Sequence, residues 1–140
     1  MITLKDIKLA INNLIETTFP EIEISSKDIK EGFSRPSFFI DFEAMSKHST
    51  EEQIIRELQI IIYFFPSDPY ENSLELLEVQ EKLEEVFDLK LNVSDRYFNI
   101  DDPSGVKSDG VLQFSFSIRY EEGREIEEAE LMENLIIKEA

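Results

Sequence analysis

From Val111 to Tyr120 the chain alternates without a break. Leu112, Phe114, Phe116, Ile118 and Tyr120 share one side; Val111, Gln113, Ser115, Ser117 and Arg119 share the other. A period of two places successive side chains on opposite faces of an extended strand. The segment from Gly110 to Tyr120 is therefore predicted to be a strand with one apolar face, in a sheet that needs a covering layer. Pro36 opens a second such strand, with Phe38, Ile40 and Phe42 on one side and Ser37, Phe39, Asp41 and Glu43 on the other. Both read as antiparallel strands with one wet face.

Two segments supply the covering helices. In the first, Leu4, Ile7, Ile11, Leu14 and Ile15 recur at spacings of three and four, with Asn12, Asn13 and Glu16 on the polar side. Thr3 and Asp6 stand in the capping-box relation at its start, and Phe19-Pro20 ends it. In the second, Asn72 is the expected cap with Glu75 three residues on, and Leu76, Val79, Leu83, Val86 and Phe87 form the buried stripe. Glu21–Ile24 reads as a short strand and Ser25–Arg35 as a loop. Ala44–Glu52 carries little secondary-structure signal and reads as a hairpin loop or a projecting arm. Gln53–Phe65 is the longest strand candidate, its second half apolar on both faces as in a central strand; alternatively its first half projects beyond the body. Leu89–Val93 and Arg96–Ile100 are strand-like, and Asp101–Gly105 is a turn by composition. The order predicts one α+β domain over residues 1–140: a mixed, mostly antiparallel sheet flanked by two main helices, with a short C-terminal segment. Residues 1–120 form the core, and 121–140 an acidic tail whose end, Ala129–Ala140, is a candidate short helix.

Charge removes several function classes. Lys and Arg number 14 against 31 Asp and Glu, a net −17 on 140 residues, while 41% hydrophobic content fits a folded chain. Nucleic-acid binders need a basic footprint, and anionic membranes attract basic segments, so neither partner is expected. The excess is uneven: residues 1–50 carry −2 and residues 51–140 carry −15. Residues 71–88 alone hold seven acids and one Lys, and Glu121–Glu130 six acids and one Arg. The longest apolar run, Ile60–Phe65, falls short of the about 20 residues a membrane span needs. No signal peptide is expected from an N-terminus that carries Lys and Asp within its first ten residues.

Catalytic and metal chemistry find little footing. The chain has no Cys and one His, His48, which excludes thiolate sites and most zinc sites. A reducing, intracellular setting is the default. Asn99, Asp101, Asp102 and Gly105 match a calcium loop poorly, because Pro103 and Ser104 stand where a ligand and a Gly belong. No phosphate-cradling Gly-rich loop is present. Carboxylates are numerous, but their number places none of them in a pair. No catalytic residue, cofactor or metal is expected.

Two runs carry a resemblance. The opening Ile2-Thr3-Leu4-Lys5-Asp6-Ile7 and the run Phe33-Ser34-Arg35-Pro36-Ser37-Phe38-Phe39-Ile40 resemble the tail terminator (tail completion) proteins of phages, prophages and phage-tail-like bacteriocins of Gram-positive bacteria. The resemblance extends from the first helix through the Gly110–Tyr120 strand. It implies a structural protein: a homo-oligomeric, six-fold ring on the last ring of the tail tube that stops its growth. Tail tube protein and a sheath or neck/connector protein are the implied partners. The implied location is the host cytoplasm during assembly, then the neck-proximal end of the tail. A cyclic ring needs unlike patches of one chain to meet, and the candidate interface residues are Phe33, Arg35, Lys47, His48, Glu51, Arg56, Glu121, Glu122 and Arg124. The second-helix or tail acids are candidates for lining the channel, where they would let DNA slide, or an outer rim. The alternative is an acidic interaction module, a nucleic-acid mimic or an inhibitor of a basic partner; a carboxylate hydrolase ranks last.

Overall fold

The strand with the unbroken alternation sits next to the apolar run, and the two form the centre of the sheet. The computed structural model describes residues 2–25 and 35–123. In chain order the elements are α1 (Leu4–Thr18), β1 (Glu23–Ile24), β2 (Ser37–Ser49), β3 (Gln53–Phe65), α2 (Ser73–Val86), β4 (Lys90–Val93), β5 (Arg96–Ser108) and β6 (Val111–Gly123). One six-stranded sheet runs β1-β2-β3-β6-β5-β4. The β1–β2 pair is parallel and the other four are antiparallel. The result is the expected α+β domain with a mixed, mostly antiparallel sheet. The predicted C-terminal helix, the rest of the acidic tail and most of the predicted Ser25–Arg35 loop lie outside the described residues.

Both helices cover one face. Phe38 and Ile40 of β2, Leu58, Ile60, Ile62 and Phe64 of β3, and Leu112, Phe114, Phe116, Ile118 and Tyr120 of β6 form its floor. Ile7, Ile11 and Ile15 of α1 and Leu76, Val79 and Leu83 of α2 close it from above. Phe87, just past α2, stacks on Phe116 with ring centroids 5.0 Å apart. Each such side chain contributes about 1.5–3 kcal/mol on leaving water. At its far end α1 places Phe19 against Phe38, rings 4.9 Å apart, under the ammonium of Lys82 from α2.

Several strand expectations need correction. Ala44–Ser49 is not loop or free arm: β2 continues to Ser49, and only Thr50–Glu52 turn. Those polar residues stay extended because β3 hydrogen-bonds to them along its length. The first half of β3 does not stand clear of the body either, since Ile54 and Leu58 are buried. Asp101–Gly105 is not a turn but a bulge within β5, with one extra residue between Asp101 and Ser104. Asp102 takes a φ of 52° there, and Pro103 sits where no ladder donor is needed. The true turn is Asp109-Gly110, both at positive φ, the backbone of a tight two-residue hairpin. A Cβ on Gly110 would sit 3.0 Å from the Pro69 carbonyl, so this turn packs under the approach to α2. β6 runs on to Gly123, taking in the first three residues assigned to the tail.

The face away from the helices is not uniformly wet. Ile61 and Phe65 are buried, and Phe39 and Tyr63 are half-buried with rings 6.0 Å apart. Asn12, placed on the polar side of α1 by its sequence, is also half-buried.

Candidate functional site

The sheet register sorts the nominated residues by place. Lys47 pairs with Arg56, which pairs onward with Tyr120; His48 pairs with Ile55, which pairs with Glu121; Ile54 pairs with Glu122. Lys47, His48, Glu51, Arg56, Glu121 and Glu122 therefore gather at one end of the sheet, around the β2–β3 turn. Thr50 makes that turn: its hydroxyl accepts from the amides of Glu52 (3.3 Å) and Gln53 (2.9 Å). Glu51 is exposed in the turn, Lys47 and His48 are exposed just before it, and Arg56 is half-buried. Arg35 stands apart at the opposite end, where its Nη1 donates to the Pro66 carbonyl at 3.3 Å and its guanidinium lies 5.8 Å over the Phe65 ring. Phe33 and Arg124 lie outside the described residues.

Glu122 and Glu121 are engaged within the chain. Arg96 Nη1 donates to Glu122 Oε1 at 2.8 Å, with the carboxylate side chain only 10% exposed. The amide of Ile2 donates to the same oxygen at 3.2 Å. Arg96 Nη2 donates to the Glu121 carbonyl at 3.0 Å, and its guanidinium stacks 5.0 Å over Phe98. One carboxylate thus ties the approach to α1, the start of β5 and the end of β6 together. Charge-assisted bonds of this kind are the stronger ones. The Arg119–Glu57 pair at 3.2 Å is exposed on both sides and contributes little.

The shifted titrating groups follow local hydrogen bonds and burial. Hydrogen bonds from Thr3, backbone amide first, hold the Asp6 carboxyl below its usual range; the amides of Tyr70 and Glu71 do the same for Asp68. A general acid is tuned the other way. Burial raises the Tyr120 hydroxyl, with Glu122 adding to the shift and Arg56 and Arg96 opposing it. Burial likewise raises Tyr63, and Asp41 and Glu43 add to it. Among the described residues no group of three His, Asp or Glu side chains is placed to hold a metal ion. No described helix is long and apolar enough to cross a membrane.

Sequence reasoning passed over two surfaces. Tyr70, Leu74 and Leu77 are strongly exposed beside Glu71, Glu78 and Glu81 on the outer side of α2. Across the molecule, the first turns of α1 and strand β2 line an open groove that includes Leu4, Lys5, Lys8, Phe42 and Met45. The signal for the first surface was available: Leu74 and Leu77 fall outside the Leu76–Val79–Leu83 stripe. The second joins two distant segments and has no sequence signature. What this arrangement offers is binding surface on a rigid sheet. A family model described as phage tail terminator protein matches residues 6–130. No curated protein matches the chain.

Proposed function

Because the chain belongs to the phage tail terminator family, a structural component of the tail, we propose that it caps the tail tube as a ring. In this reading it ends tube polymerisation and offers the joint to a neck, connector or sheath protein. The observation that carries the reading is the family match over residues 6–130. The rigid sheet with unlike surfaces at its two ends supports it, because a closed ring is built from head-to-tail contacts between different patches. The charge of −17 is compatible with a channel for DNA, since acidic walls release no counterions and hold no duplex.

The test is polymerisation of the purified tail tube protein of the same phage, with and without this chain, read by negative-stain tube lengths. Capping shortens the tubes and places density on one end. Native mass by light scattering gives a companion reading: a hexamer weighs about 98 kDa, six times 16.4 kDa. Tubes of unchanged length, with the chain instead bound tightly and salt-sensitively to a basic protein, overturn the reading in favour of an acidic interaction module.

A further inference from the structure

α1 and α2 turn unlike outer faces to solvent. On α2 and its approach, Tyr70 is 91% exposed, Leu74 75% and Leu77 63%. Leu74 and Leu77, three apart, share a helix face, and Tyr70 of the preceding turn lines the same depression as Leu74; together they form an apolar ridge. Glu71, Glu78 and Glu81 flank it, all three exposed, with Lys107 as the one base beside Tyr70 and Leu74. Near the start of α1, Leu4, Phe42 and Met45 floor an open groove of ≈ 610 Å³. Lys5 and Lys8 rim it, with Asp41 as its one acid, and Met45 is 54% exposed. Neither lysine is in a salt bridge among the described residues.

We propose that the Tyr70–Leu74–Leu77 ridge of one copy seats in the Lys5–Lys8–Met45 groove of a second copy. The inference rests on the ring reading and deepens it by naming the two patches that meet. Complementarity favours a second copy: an apolar ridge edged mostly by acids matches an apolar groove edged mostly by lysines, on a chain that otherwise repels itself. Placement adds to it. The groove runs between the first turns of α1 and β2 from Phe39 to Met45, level with Gln113 to Ile118 of β6 across β3. The ridge lies by Pro69 and Asn72, which pack on Gly110 at the beginning of β6. Ridge and groove thus sit on different elements, α2 and its approach against α1 and β2. Two unlike patches on separate elements make a heterologous contact when copies meet.

The natural absence of Cys gives a clean test. Met45→Cys is placed in one chain and Leu74→Cys in a second chain lengthened by a tag, and the two are mixed and oxidised. The mixed disulfide is expected to exceed either homodisulfide about tenfold, against about twofold for random pairing. Adding Lys5→Glu and Lys8→Glu to the Met45→Cys chain returns the ratio to random. Adding Glu71→Lys and Glu78→Lys to its partner restores the preference. A random ratio from the unreversed pair overturns the proposal and leaves the ridge to a different, basic protein. A dominant Leu74→Cys homodisulfide overturns it in favour of ridge meeting ridge. Tubes capped despite a random ratio mean that other surfaces hold the ring. Specific cross-links with uncapped tubes mean that the contact stands and the capping role does not.

Discussion

α1 and α2 carry the same kind of start signal, an oxygen-bearing residue with an acid three positions on, and they use it differently. In α1 the Thr3 hydroxyl accepts from the Asp6 amide at 3.1 Å, and the Asp6 carboxylate accepts from the Thr3 amide at 2.9 Å. In α2 the Asn72 side chain accepts nothing from the helix; its Nδ2 donates to the Asp68 carbonyl at 3.0 Å. Glu75 turns outward to the Ser67 amide and hydroxyl, both at 2.8 Å. Asp68 meanwhile takes the amides of Tyr70 and Glu71. The tight turn ahead of α2 has engaged the capping groups before the helix can use them. A cap motif is therefore decided by the chain that precedes it as much as by its own spacing.

The largest test asks whether the two helices share one core despite their different starts. Ile11→Ala and Leu83→Ala each empty a fully buried site and are expected to cost about 2–5 kcal/mol in urea unfolding. Both should keep a single transition. A second transition in Leu83→Ala alone would show α2 to be a separately melting layer. Next in size is Glu122→Ala, which removes the acceptor that ties the approach to α1 to β6 and is expected to cost about 1–3 kcal/mol. The start of α2 is held by other groups, Glu75 on Ser67 and Asn72 on Asp68, so amide exchange should quicken in α1 and leave α2 unchanged.

The caps themselves separate the helices more finely. Thr3→Ala is expected to cost about 1 kcal/mol. Asn72→Asp is neutral by cap preference, since both residues cap well, yet it replaces a donor with an acceptor facing the Asp68 carbonyl. It is expected to cost about 1 kcal/mol in the same unfolding measurement. A neutral result would mean that Asn72 caps α2 after all. The smallest effect is the response to acid. Asp6 has a folded pKa below its unfolded value, so its contribution is present above the unfolded value near 3.8 and is lost as pH falls through the lower folded one. Helix circular dichroism between neutrality and pH 2 should show this loss in the natural chain and not in Asp6→Asn.

Much of the fold was legible because periodicity reports which face a residue buries. The isoleucine stripe of α1 and the alternation of β6 place those residues in the core without ambiguity. Ala44–Ser49 and Asp101–Gly105 were misread for a shared reason. Their polar, turn-prone residues are held extended by ladder bonds to β3 and β6, and a partner strand leaves no mark on the strand that it pairs with. Candidate surfaces were harder to read. Lys47, His48 and Glu121 come together through register, which sequence does not display. The Lys5–Lys8–Met45 groove needs α1 laid beside β2. Glu122 looked like part of a solvated acidic tail, yet it is nearly buried because Arg96, twenty-six positions away, reaches it.

The two bulges have a further consequence for how the chain tolerates changes in length. β2 carries one extra residue between Phe42 and Ala44, and β5 one between Asp101 and Ser104. The inner pair β3–β6 keeps a constant register from Gln53–Gly123 to Phe64–Leu112. Each bulge resets the phase of a flanking strand, so that Phe42 faces the helices before the break and Met45 after it. A residue gained or lost in β2 or β5 has a place where the frame already slips. The same change in β3 or β6 would turn every following side chain to the wrong side. The sheet thus has elastic margins around a rigid spine, and length variation among relatives should collect at those margins.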